Sequence, residues 1–67
     1  MAKSKEVAEK EFVDSILSIG IERYYEMDNA NSTHYCFDLE NGMQRFWKNM
    51  SEENLDKIKK YFEEKKN

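Results

Sequence analysis

Apolar residues recur at helical spacing in the first third of the chain. Ala8, Phe12, Ile16 and Ile19 fall on one side with Val13 and Leu17 beside them, which predicts a helix from about Ser4 to Ile19. At 100° per residue these six side chains cover an arc of about 180°, wider than a surface helix needs. Ser4 suits the N-cap, and Gly20 suits the left-handed residue that closes many helices.

The period then changes to two. Ile21 to Met27 (IERYYEM) is rich in β-branched and aromatic types and predicts a strand. Asp28 to Ser32 is turn chemistry throughout. Thr33 to Leu39 (THYCFDL) alternates, with Tyr35, Phe37 and Leu39 on one face. Asn41-Gly42 follows, the pair favoured in two-residue type I′ hairpins because both positions need positive φ. Met43 to Asn49 is the return strand. A two-residue loop pairs Leu39 with Gln44, Asp38 with Arg45, Phe37 with Phe46 and Cys36 with Trp47. One face then carries Tyr35, Phe37, Leu39 and Phe46. The other carries His34, Cys36, Asp38, Glu40, Met43, Arg45 and Trp47.

Ser51 is a good N-cap for a last helix, with Glu52, Glu53 and Asp56 at its positive end and Lys65 and Lys66 at its negative end. Leu55, Ile58 and Phe62 form its apolar stripe, with Tyr61 alongside. The predicted fold is α+β: a helix, a three-stranded antiparallel meander and a helix, with both helices on one sheet face, forming one small domain over residues 1–67.

A chain of 67 residues has little surface to bury, and nine aromatic residues, 13% of the chain, are its means of building a core. Cys36 is the single cysteine, so no internal disulfide can staple the fold. Charged residues make up 37% and the formal net charge is −3, which argues against a general nucleic-acid binder. Met1 to Lys10 is charged and has no signal-like apolar run, and no segment reaches the length of a membrane span, so a cytoplasmic location is expected. Asn31-Ser32-Thr33 and Asn49-Met50-Ser51 match the glycosylation triplet and read as coincidence in an asparagine-rich chain without an export signal.

Candidate chemistry is sparse. His34, Cys36 and Asp38 alternate along one strand face, but spacings of about 7 Å suit neither a metal shell nor a Cys–His nucleophile pair. No phosphate loop, dinucleotide-binding glycine motif or nucleophile elbow is present. The expectation is a protein without catalytic machinery, metal or cofactor.

Two surfaces suggest binding instead. Trp47, Arg45 and Met43, with His34, share the second sheet face, and tryptophan and arginine are enriched in binding hot spots. Glu22, Glu26, Asp28, Asp38 and Glu40 form an acidic stretch facing Arg23 alone, which suits a basic groove on a partner. The leading expectation is a small protein-binding regulator or inhibitor, of the kind that phages and mobile elements encode. One alternative is a nucleic-acid accessory protein using Arg45, Trp47 and the lysines of the last helix. Another is a structural subunit of a homo-oligomer, with the wide apolar arc of the first helix as a homodimer seam.

Overall fold

The computed structural model describes residues 3–65. The elements run α1 (Lys5–Ile19), β1 (Ile21–Asn29), β2 (Ser32–Leu39), β3 (Gln44–Lys48) and α2 (Glu52–Lys65). The strands form one open antiparallel sheet in the order β1-β2-β3. The predicted helix–meander–helix α+β fold is therefore present. Lys66, expected at the negative end of the last helix, lies outside the described residues.

Local chemistry explains each boundary. The Ser4 side chain accepts from the Val7 N–H at 3.2 Å and caps α1. Gly20 closes the helix at φ 104°, donating its N–H to the Ile16 carbonyl at 2.9 Å. The positive φ is what requires glycine there; a Cβ would also meet the Glu40 carboxylate, the flexible end of an exposed side chain that can move aside. Ala30-Asn31 form a tight turn between β1 and β2. Asn49 ends β3 at φ 53°, a conformation asparagine tolerates, and its Oδ1 accepts from the Thr33 N–H at 3.0 Å.

Both helices pack on the same sheet face. Phe12, Val13 and Ile16 of α1, Tyr35, Phe37 and Leu39 of β2, and Leu55 and Ile58 of α2 form the core, joined by Ile21 and Met50. Phe37 is fully buried at the centre, its ring 5.8 Å from Phe12 and 5.9 Å from Tyr24, which stacks in turn on Phe62 at 5.6 Å. Burying one such side chain contributes about 1.5–3 kcal/mol. The wide arc of α1 is largely used within the chain. Phe12, Val13 and Ile16 are buried, and Leu17 and Ile19 pack against the core.

The register between β2 and β3 differs from the expected one by a single residue. Tyr35 pairs with Trp47, Cys36 with Phe46, Phe37 with Arg45 and Asp38 with Gln44. The cause is the turn. The Gly42 N–H bonds to the Leu39 carbonyl at 3.0 Å, and the Leu39 N–H bonds to the Met43 carbonyl at 2.8 Å. Gly42 has φ 89°, while Asn41 is not among the positive-φ residues. This is a three-residue loop, Glu40 to Gly42, in which glycine takes the bulge position, in place of a two-residue type I′ turn. Asn41 serves the turn through its side chain, whose Oδ1 accepts from the Met43 N–H at 2.9 Å. Because strand side chains alternate, the one-residue shift turns β3 over. Trp47 and Arg45 face the helices, and Phe46 faces away.

Candidate protein-binding surface

The sheet face opposite the helices is uncovered among the described residues. Its central row is Tyr25, Cys36 and Phe46, one residue from each strand. One flanking row holds Arg23, Asp38 and Gln44, and the other Met27, His34 and Lys48. Phe46 is 62% exposed, Met27 54% and Tyr25 43%. Three large apolar side chains thus stand in solvent on one face of a strongly charged chain. Cys36, between Tyr25 and Phe46 in the central row, is buried.

The polar groups of this face are organised around Asp38. Its carboxylate accepts from Gln44 Nε2 at 2.9 Å, from the Tyr25 hydroxyl at 2.9 Å and from Arg23 at 3.4 Å. The Gln44 and Tyr25 bonds hold the Asp38 carboxyl below its ordinary range, and the same bond raises the Tyr25 phenol. Burial, followed by the nearby Asp38 charge, pushes the Cys36 thiol up, so it persists as a thiol and is a poor nucleophile. His34 bonds to Ser32 at 3.1 Å. Among the described residues, no three His, Cys, Asp or Glu side chains gather as a metal shell would require.

The structure separates the residues that the sequence grouped. Trp47, expected on the exposed face, is half-buried beneath α1, its ring 4.8 Å from Phe12 and its Nε1–H donated to Glu9 at 3.2 Å. Arg45 lies over the Phe12 ring at 5.2 Å on that same covered side and is not paired with Asp38. Met43 remains exposed at the turn, and His34 remains on the open face. The acidic stretch is not one surface. Glu22 stands at an irregularity in β1, where the register shifts between Ile21 and Arg23. Glu26 and Asp28 alternate onto the helix side, where Asp28 accepts from the Thr33 hydroxyl at 2.8 Å. Glu40 pairs with Lys65 at 3.2 Å, which raises the Lys65 ammonium.

Glu9 is the important residue that the pattern reading passed over. It is 5% exposed, yet its carboxylate accepts from Trp47 Nε1, from the Ser51 N–H at 3.0 Å, from the Ser51 hydroxyl at 2.7 Å and from Asn54 Nδ2 at 2.6 Å. A carboxylate from α1 thereby sits at the N-terminus of α2, where the helix dipole favours negative charge. The groove beside it, lined by Lys5, Lys10, Asn54 and Lys57, ends on this satisfied group. The available sequence signal is the spacing Glu9, Phe12, Val13, Ile16, which places the carboxylate inside the apolar stripe.

Among the described residues, no helix is long and apolar enough to cross a membrane. Comparison with protein-family models, with curated proteins and with solved structures yields no match to this chain.

Proposed function

We propose that this chain is a small, non-enzymatic, protein-binding regulator that engages its partner through the open face of its sheet. The observation that carries this reading is Phe46, 62% exposed across Cys36 from Tyr25, with Met27 also exposed, on a sheet face that no element covers among the described residues. Leaving three large apolar side chains in water is unfavourable for a domain this small, and a contact surface accounts for their arrangement. The chemistry of the face supports binding over catalysis. Its carboxylate is saturated by neighbours and its thiol is buried and protonated.

The nucleic-acid alternative has less support. Arg45 and Trp47 turn toward α1, and Lys65 is engaged by Glu40 and the Ile21 carbonyl. The test compares immobilised wild type with Phe46→Ser and with Lys60→Ser, an exposed control on α2. A partner retained from host lysate by wild type and Lys60→Ser and lost with Phe46→Ser is expected. Retention on all three folded columns would refute the reading.

A further inference from the structure

The outer edge of β1 is capped at one end and open along the rest. The strand is nine residues long and has β2 on one side only. At its start the Ile21 N–H donates to the Tyr61 hydroxyl at 3.1 Å, and the Lys65 ammonium donates to the Ile21 carbonyl at 3.1 Å. The bonds of β2 show which later groups point outward. The Leu39 N–H donates to the Met43 carbonyl and the Thr33 carbonyl accepts from the Asn49 N–H, both at 2.8 Å and both toward β3. Antiparallel bonding alternates along a strand, so Ser32, His34, Cys36 and Asp38 bond toward β1, where they face Asn29, Met27, Tyr25 and Arg23. Tyr24, Glu26 and Asp28 therefore turn their backbone N–H and C=O groups away from the sheet. No other element or side chain among the described residues bonds to them. Such a row of donors and acceptors is completed by another extended strand, whereas the backbone groups of a helix are bonded internally.

The neighbouring side chains set the chemistry of that strand. Glu26 and Asp28 are exposed on the helix side, and neither forms an ion pair among the described residues. Burial first, then the charges of these two carboxylates, push the Tyr35 phenol up, with Glu52 a smaller contribution, which groups the negative charge at this end of the sheet. Arg23 does not offset it, because it lies on the other face and pairs with Asp38. On the open face the same strand presents Tyr25 and Met27, 43% and 54% exposed. A second copy is a poor match. Any antiparallel register of β1 on β1 that engages both Glu26 and Asp28 sets two of Glu22, Glu26 and Asp28 opposite each other, and directly opposed like charges are destabilising.

We propose that the outer edge of β1, from Tyr24 to Asp28, takes up one extended segment of a partner protein as an added strand, with basic side chains beside Glu26 and Asp28 and apolar ones beside Tyr25 and Met27. The site goes beyond the open-face reading. It shares Tyr25 and Met27 with that face but does not use Phe46, which stands on β3 at the far edge.

Three short synthetic peptides test it by NMR titration of the labelled protein: one alternating lysine and valine, one alternating glutamate and valine, and the lysine–valine sequence N-methylated along its backbone. The unmodified lysine–valine peptide is expected to slow hydrogen exchange at the Tyr24, Glu26 and Asp28 amides and to bind at least about tenfold tighter than the other two. Glu26→Lys, at an exposed site, is expected to weaken it about tenfold and to favour the glutamate peptide, with Glu26→Gln as a milder second variant. Phe46→Ser is expected to bind the lysine–valine peptide as wild type does, which separates this site from the open-face reading. Loss of binding with Phe46→Ser would move the peptide to the open face and overturn the proposal. Equal binding of the glutamate or the N-methylated peptide, unchanged exchange at the three amides, or saturation by none of the peptides would also overturn it. Protection of the same amides in the free protein, rising with protein concentration, would assign the edge to a second copy and overturn it as well.

Discussion

Replacing Glu9 by alanine tests the clasp between α1 and α2. The carboxylate accepts four hydrogen bonds, at 3.2, 3.0, 2.7 and 2.6 Å, from Trp47, the Ser51 amide, the Ser51 hydroxyl and Asn54. A hydrogen bond to a charged group contributes about 1.5–3 kcal/mol when one partner is removed and the other is left buried. Ser51 is exposed and water can replace part of its loss, whereas Trp47 and Asn54 are half-buried. Truncation also removes negative charge from the start of α2, worth about 0.3–1 kcal/mol. The expected loss for Glu9→Ala is about 2–4 kcal/mol, a large fraction of the about 3–10 kcal/mol available to a chain this short. Glu9→Gln keeps one accepting oxygen and is expected to lose roughly half as much.

Acid titration of the same variants reads the charge. Burial alone would raise the Glu9 carboxyl, but the bonds from Asn54, Ser51 and Trp47 outweigh it and hold the group below its ordinary value of 4.5. A group depressed on folding contributes stability that is complete above its unfolded pKa and is lost as pH falls through the folded one. Wild type is therefore expected to lose this part of its stability below about pH 4.5, and Glu9→Gln to lack that portion of the decline. Urea unfolding followed by the emission of Trp47, the single tryptophan, measures both effects. A Glu9→Ala loss below about 0.5 kcal/mol, with an acid limb matching wild type, would refute the clasp.

The remaining predictions concern the sheet. Gly42→Val is expected to cost about 1–2 kcal/mol through φ 89° alone, because a Cβ there meets nothing within 4 Å, and Gly42→Asn is expected to cost less in the same thermal melt. Phe37→Ala is expected to cost about 3–5 kcal/mol, whereas Phe46→Ala stays within about 0.5 kcal/mol of wild type; a Phe46→Ala loss comparable to that of Phe37→Ala by denaturant midpoint would restore the two-residue turn and its register. Trp47 emission is expected to be blue-shifted and resistant to iodide quenching, and a red-shifted, readily quenched band would place the ring on the open face.

Local chemistry in the sequence determined the elements and their order. Helical spacing from Ala8 to Ile19, Ser4 and Gly20 at the ends of α1, the alternation of Tyr35, Phe37 and Leu39, and Ser51 ahead of α2 each act over a few residues, so each is legible without the fold. The location of the second hairpin turn was legible for the same reason. Its type was not, because Asn41-Gly42 serves both a two-residue loop and a three-residue loop with glycine at the bulge. Phe46 and Trp47 are adjacent and both large and apolar, so the alternation of β3 satisfies a buried face in either register. Tertiary packing decided between them. The three-residue loop brings Trp47 beneath Phe12 with its N–H on Glu9 and sets Arg45 over the Phe12 ring. No short-range pattern contains that arrangement, since Glu9 and Trp47 lie 38 residues apart in the chain. One residue of slip exchanged the two faces of β3, and with them the side chain that stands in water: Phe46 in place of Trp47.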